Sequence, residues 1–151
     1  MELSVPQTTL LVRREAARLC RHLGWAPLHE VALPNGRRAD ILALRPDGGF
    51  VCIEVKSGPV DFLTDSKWPE YREFCDALYF AVHADFPRGL LPLDVGVIVT
   101  AADDAALLRE APVHKLPPAR RRALLHRFAV LAACRLENTL DPLDAFALSC
   151  E

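Results

Sequence analysis

The chain has 151 residues, 51% of them hydrophobic, which is enough for one domain with a full core and short for two. A formal net charge of −2 excludes a general electrostatic pull toward polyanions. The positive charge is nevertheless clustered, in Arg13, Arg14, Arg18 and Arg21, then Arg37 and Arg38, then Arg120 to Arg122 with Arg127, so local patches can matter where the total does not.

Taken in chain order, Ser4-Val5-Pro6-Gln7 has capping-box spacing. Val12, Ala16, Leu19 and Leu23 then recur at helical intervals until Gly24, which predicts an amphipathic first helix. A short strand is expected over Trp25 to Leu33, and "PNG" makes the next turn. Two strands, Arg38 to Leu44 and Phe50 to Lys56, flank "PDGG" as a β-hairpin. Ser57-Gly58-Pro59 ends it, and Val60, Leu63, Tyr71, Phe74 and Leu78 predict one face of a second helix. "ALYFAV" and "DVGVIVT" read as buried strands separated by the loop "HADFPRGLLP". A last helix begins after Pro117-Pro118, with Leu124, Phe128 and Leu131 as its inner stripe and arginines in its first turns. Helices interleaved with strands on both sides of a hairpin imply a single α/β domain over 1–151 with a mixed sheet.

Three charges interrupt the hairpin. In a strand, alternate residues share a face, so Glu54 and Lys56 point one way while Val51, Ile53 and Val55 point the other, into the core. Asp40 lies about as far before the turn as Glu54 lies after it, which sets the two acids opposite each other to within about one residue of register. Neighbouring carboxylates repel and desolvate badly. Mg²⁺ or Mn²⁺ would resolve that conflict, with Lys56 beside the attacking water or the phosphate, a set suited to phosphodiester hydrolysis. The alternative from spacing is a cross-strand ion pair on a half-exposed face. Glu15, at the edge of the first helix's inner stripe, and Glu30, late in the first strand, are rival third acids. Lys67 falls between Leu63 and Tyr71 on the second helix, and either contacts phosphate or snorkels to the helix edge.

Asp40 followed by Glu54-Val55-Lys56 resembles the two-part motif of the PD-(D/E)XK nuclease superfamily. The span "RRADILAL … CIEVKSGPVDFLTDSKWPEYREFCDALYFAV … FPRGLLP … GVIV" with the Arg-led last helix is similar to the MmcB-like family of bacterial DNA repair proteins, from about Thr8 to Leu136, and "DSKWPEYREFCD" is its distinctive block. The resemblance implies a restriction-endonuclease-like fold of helix, three strands, helix and strand, and a role in DNA repair. It makes Asp40 and Glu54 metal ligands and Lys56 the catalytic lysine. Ala39 departs from the superfamily's proline, at a place that shapes the strand and does no chemistry. Glu15 matches a helix glutamate found in part of the superfamily, and Lys67 and Tyr71 lie where many such nucleases carry a further polar residue. Asp61 and Asp65 fall on a different side of the second helix, as caps or partners of basic neighbours.

The leading expectation is a metal-dependent nuclease of DNA repair, with Asp40, Glu54, Lys56, Glu15 and Lys67 at the site. Arg14, Arg18, Arg37, Arg38, Lys67, Arg121 and Arg122 would hold the DNA backbone. The alternatives are a nuclease-like fold serving as a DNA-binding or partner-docking subunit, and a structural domain whose acids form ion pairs. A homodimer or a repair partner would be compatible with either nuclease-like reading. The five histidines lack metal-ligand spacing, and five scattered cysteines without C-x-x-C argue against zinc and disulfides. With no signal-peptide order and no unbroken apolar run, a cytoplasmic, soluble protein is expected.

Overall fold

The computed structural model describes residues 2–142, which divide between two compact units, Met1–Lys115 and Leu116–Glu151. In the first unit, α1 (Val5–His22) opens on the expected capping box. The Ser4 amide donates to Gln7 Oε1 at 2.8 Å and the Gln7 amide to Ser4 Oγ at 3.4 Å, which satisfies donors the helix leaves unpaired. It stops where Gly24 turns left-handed at φ 77°.

Six strands follow in one sheet, in spatial order β1 to β6: β1 (Ala26–Ala32), β2 (Arg38–Leu44), β3 (Phe50–Lys56), β4 (Ala77–His83), β5 (Gly96–Ala101) and β6 (Asp104–Arg109). The first three pair antiparallel, β3 to β5 run parallel, and β6 returns antiparallel, so the sheet is mixed. The β2 and β3 boundaries agree with the hairpin read from sequence. Gly48, at φ 85°, makes the turn between them, with the Arg45 amide donating to the Gly49 carbonyl at 2.8 Å. One strand was not anticipated. β6 reads Asp-Ala-Ala-Leu-Leu-Arg, a helix-forming composition, and it is recruited as an edge because Asp103, in the left-handed region at φ 64°, lets the chain double back on β5.

The expected second helix is broken. Pro59–Thr64 forms a short α2, and after a three-residue interruption Trp68–Phe74 winds as a 3₁₀ helix. Leu78, expected on that helix, belongs to β4, and Val60 and Leu63 are exposed instead of inward. Proline at 69 and the aspartate at 65 explain the break: Asp65 turns its carboxylate back onto the Lys67 amide at 2.8 Å, offering the chain an alternative to continuing α2.

Both sheet faces are covered. On one, Val12, Ala16 and Cys20 of α1 pack with Ile41, Val51, Ile53, Val55, Tyr79 and Ile98. On the other, Phe62 and Trp68 set their rings edge-on to Phe80 at 5.4 Å each, and Tyr71 and Phe74 are buried beside them. β3 is consequently buried along its whole length, charged residues included. Trp25 and Trp68 are packing residues, Trp25 against Tyr79 and under the Arg45 guanidinium at 4.7 Å. In the second unit, α3 (Pro118–Leu140) follows Pro117 as expected, with Leu124, Phe128 and Leu131 at helical spacing. No helix among the described residues is long and apolar enough to cross a membrane.

Candidate functional site

The last residues paired between β2 and β3 are Ile41 and Ile53, so Asp40 and Glu54 occupy the next position on each strand, as the hairpin geometry requires. There the backbone ladder gives way to side chains. The Val55 amide donates to Asp40 Oδ2 at 2.7 Å, and the Asp40 amide donates to Glu54 Oε1 at 3.3 Å. Each carboxylate is thus fixed by its neighbour's strand.

Glu54 is 4% exposed. Burial, then the neighbouring Asp40 charge, pushes its carboxyl pKa up to about 9. Burial also raises Asp40, against the Val55 amide and the charges of Lys56 and Arg13, which lower it. Lys56, 5% exposed, reaches Asp65 with its ammonium at 2.6 Å. Burial pulls Asp65 upward, but the hydrogen bonds from Lys56 and the Lys67 amide outweigh it and hold that carboxyl below its usual range. Burial and the Glu54 charge raise the Tyr71 phenol, which stays neutral and donates to the Arg38 carbonyl at 2.9 Å.

These groups line one cleft of about 760 Å³ at the ends of β2 and β3, bounded by Val5 and Thr9 of α1 and by Ser57-Gly58-Pro59. The pair offers oxygen donors, as a hard divalent cation prefers, and the proton that Glu54 keeps beside Asp40 is what such a cation would replace. Among the described residues no group of three or more His, Cys, Asp or Glu could hold a metal by itself. A cation bound by the pair would therefore complete its shell with water and substrate oxygens, as Mg²⁺ ordinarily does.

Glu15, expected as a third acid, does not line this cleft. It is 2% exposed and accepts from Arg14 Nε at 3.1 Å and Arg18 Nη1 at 3.0 Å. Its rival Glu30 takes a left-handed φ of 49° and pairs with Arg13 at 2.9 Å, also away from the cleft lining. Lys67 sits in the interruption after α2, exposed, so its assignment to an inward stripe fails with the helix that carried it. Arg37 pairs with Glu70, Arg38 is exposed at the start of β2, and Arg121 and Arg122 lie in the first turns of α3. Asp65 and Asp61 were missed as cleft residues, Asp61 accepting from the Ser57 amide at 3.0 Å. Two acids within nine residues of a strand-end lysine were the available signal, hidden by the assumption of a continuous helix.

The fold and cleft together define a mixed α/β protein with a six-stranded sheet between helical layers and an acid-acid-lysine set at the sheet's end. The chain belongs to the MmcB-like family, described as DNA repair protein MmcB-like, which it matches over residues 1–143. Among solved structures it is similar to the SPO1766 protein of unknown function from Silicibacter pomeroyi, at 39% identity and a TM-score of 0.84, with 94% of this chain and 95% of that one covered. No curated protein matches it.

Proposed function

We propose that this protein is a metal-dependent nuclease of the PD-(D/E)XK superfamily, with a restriction-endonuclease-like topology, that hydrolyses DNA phosphodiester bonds during repair in the cytoplasm. The observation that carries the reading is the Asp40–Glu54 pair, Glu54 buried and Asp40 half-buried beside it at the strand ends, with Lys56 in the same cleft. Family membership supplies the DNA repair context.

Asp40 and Glu54 would hold Mg²⁺ or Mn²⁺, which supplies Lewis acidity and positive charge toward a phosphoryl oxygen when bound. Lys56 donates a hydrogen bond to the phosphate and offsets the negative charge that develops as the phosphodiester is attacked. Asp65 ties that ammonium into an ion pair at 2.6 Å within the cleft. Phosphate contacts, which weaken as salt rises, fall to Lys67, Arg37, Arg38, Arg121 and Arg122. Arg14 and Arg18, also expected to touch DNA, rim a separate groove. A nuclease domain of this size works with a second copy or a repair partner.

A second reading is a nuclease-like fold that docks DNA or a partner without cleaving. What favours it is the Lys56–Asp65 ion pair, which occupies the would-be catalytic ammonium, and the want of a third ligand among the described residues. Calorimetric titration of Mn²⁺ into the wild type, Asp40→Ala and Glu54→Ala, with labelled-oligonucleotide cleavage on the same samples, separates the two. Binding and cleavage that vanish together in the variants are expected. A wild type that binds no Mn²⁺, with or without DNA, would overturn the nuclease reading.

A further inference from the structure

Away from the acid cleft, α1 and β1 enclose a groove of about 880 Å³. Its lining includes the apolar side chains of Leu3, Leu10 and Pro27 together with Arg13, Arg14, Arg18 and Arg21. The two sites use different sides of α1, since the cleft takes Val5 and Thr9.

The arginines are set in place. The buried Glu15 carboxylate receives Arg14 and Arg18 together, at 3.1 and 3.0 Å, while their side chains remain 54% and 44% exposed. Glu15 is therefore spent beneath the surface, fixing two guanidiniums that still face outward. Arg13 pairs with Glu30, and Asp103 meets Arg14 only at 3.8 Å, an exposed contact of little strength. Arg13, Arg14 and Arg18 meet these three carboxylates, and Arg21 is exposed at the far end of the row. Leu3 and Leu10 stand 51% and 58% exposed in the same groove, apolar surface left against water.

We propose that this groove docks an acidic peptide segment of a partner protein that also carries apolar side chains. The carboxylates meet the ordered guanidiniums, for which bidentate geometry is favoured, and the apolar side chains cover Leu3, Leu10 and Pro27. A nucleic-acid backbone satisfies the first requirement and not the second. It brings little apolar surface to cover the leucines, and of the ring side chains on which unstacked bases stack the lining offers His29 and no Phe, Tyr or Trp.

The test uses fluorescence anisotropy of a labelled peptide alternating Asp with Leu, a control in which Ser replaces each Leu, and a labelled single-stranded oligonucleotide. Each is titrated with wild type, Leu10→Ser, Arg21→Glu and Asp40→Ala. Leu10 and Arg21 are exposed, so both variants fold, which circular dichroism checks. The Asp-Leu peptide is expected to bind wild type and Asp40→Ala equally and to lose about tenfold or more in affinity with Leu10→Ser and with Arg21→Glu. Oligonucleotide binding should not change with Leu10→Ser. Equal binding of the Ser control, no peptide binding at all, or peptide affinity indifferent to Leu10→Ser would each overturn the proposal. An oligonucleotide that displaces the peptide while Leu10→Ser changes neither would make the groove a phosphate-contact surface. Asp40 does not line the groove, and circular dichroism also checks that Asp40→Ala folds, so failure here and failure of the nuclease reading are read from different samples.

Discussion

Exchanging Glu54 for glutamine keeps the side chain's shape and its acceptor for the Asp40 amide while removing its titration. In the folded protein Glu54 protonates at about 9, against an ordinary value of 4.5. Below the lower value both folded and unfolded chains carry the proton and no penalty exists. Between the two, the folded chain keeps a proton that the unfolded chain releases, so stability falls as pH rises. The slope is roughly 1.4 kcal/mol per pH unit, which amounts to about 3 kcal/mol between pH 5.5 and 8.0. At 4% exposure no large solvent discount applies. For a chain of this size that difference moves the melting temperature by roughly 6 to 12 °C. Asp65, held low, loses its contribution only in more acidic solution, outside the window. Cys75, lowered to about 6 by hydrogen bonding with Cys52 and then His114, gives a slope of opposite sign. It is present in both proteins, so the wild-type minus Glu54→Gln difference isolates Glu54. Urea unfolding at pH 5.5, 7.0 and 8.0 without divalent ions should show the variant gaining on the wild type with each step. Parallel pH profiles for the two proteins would refute the buried, strained carboxylate. Mn²⁺ added at pH 8.0 should stabilise the wild type and leave Glu54→Gln nearly unchanged, since a ligand stabilises only the state that binds it.

Two further outcomes follow from single contacts. In Gly96→Ala the new Cβ would stand 2.1 Å from the Tyr79 ring, which is fully buried and anchored through its hydroxyl to Arg45 and Glu110. The expected loss lies toward the upper end for overpacking, about 3 kcal/mol by urea denaturation, and a variant as stable as its parent would mean that β4 and β5 adjust freely there. Lys56→Met removes the ammonium from Asp65, so the Asp65 pKa should rise from its lowered value in an NMR carboxyl titration while the Lys67 amide bond keeps the 3₁₀ turn in place. An unmoved Asp65 titration would show that Lys56 does not hold it.

Local pattern carried the reading wherever a residue's place depends on near neighbours. Ser4 and Gln7 are three positions apart, and their capping box needs nothing from the rest of the fold. The β2–β3 hairpin is closed by its own turn, so Asp40 and Glu54 could be set opposite each other to within about one residue by counting outward from the turn, whose register is centred on Asp47. Their burial could not be counted. A half-exposed face was an open alternative from the sequence; in the fold Phe62 and Trp68 pack on Phe80 with Tyr71 buried beside them, and burial together with the Asp40 charge drives Glu54 upward.

The helical wheel failed where local side-chain chemistry overrode periodicity. Leu63, Lys67 and Tyr71 share a stripe only if the helix runs through, and the turn that Asp65 makes on Lys67 ends that run. The same break delivers Asp65 to Lys56, nine residues earlier on another element. Glu15 sat correctly at the edge of α1's inner stripe, but periodicity does not say what lies across from an edge, and its partners proved to be Arg14 and Arg18. β6 required β5 as a template, since its own alanines and leucines favour a helix. Sequence by itself thus determined the elements closed by local hydrogen bonds and the side of the sheet each hairpin residue takes. Only the tertiary structure decided which charges are buried together, because dielectric and repulsion depend on what the distant chain lays over them.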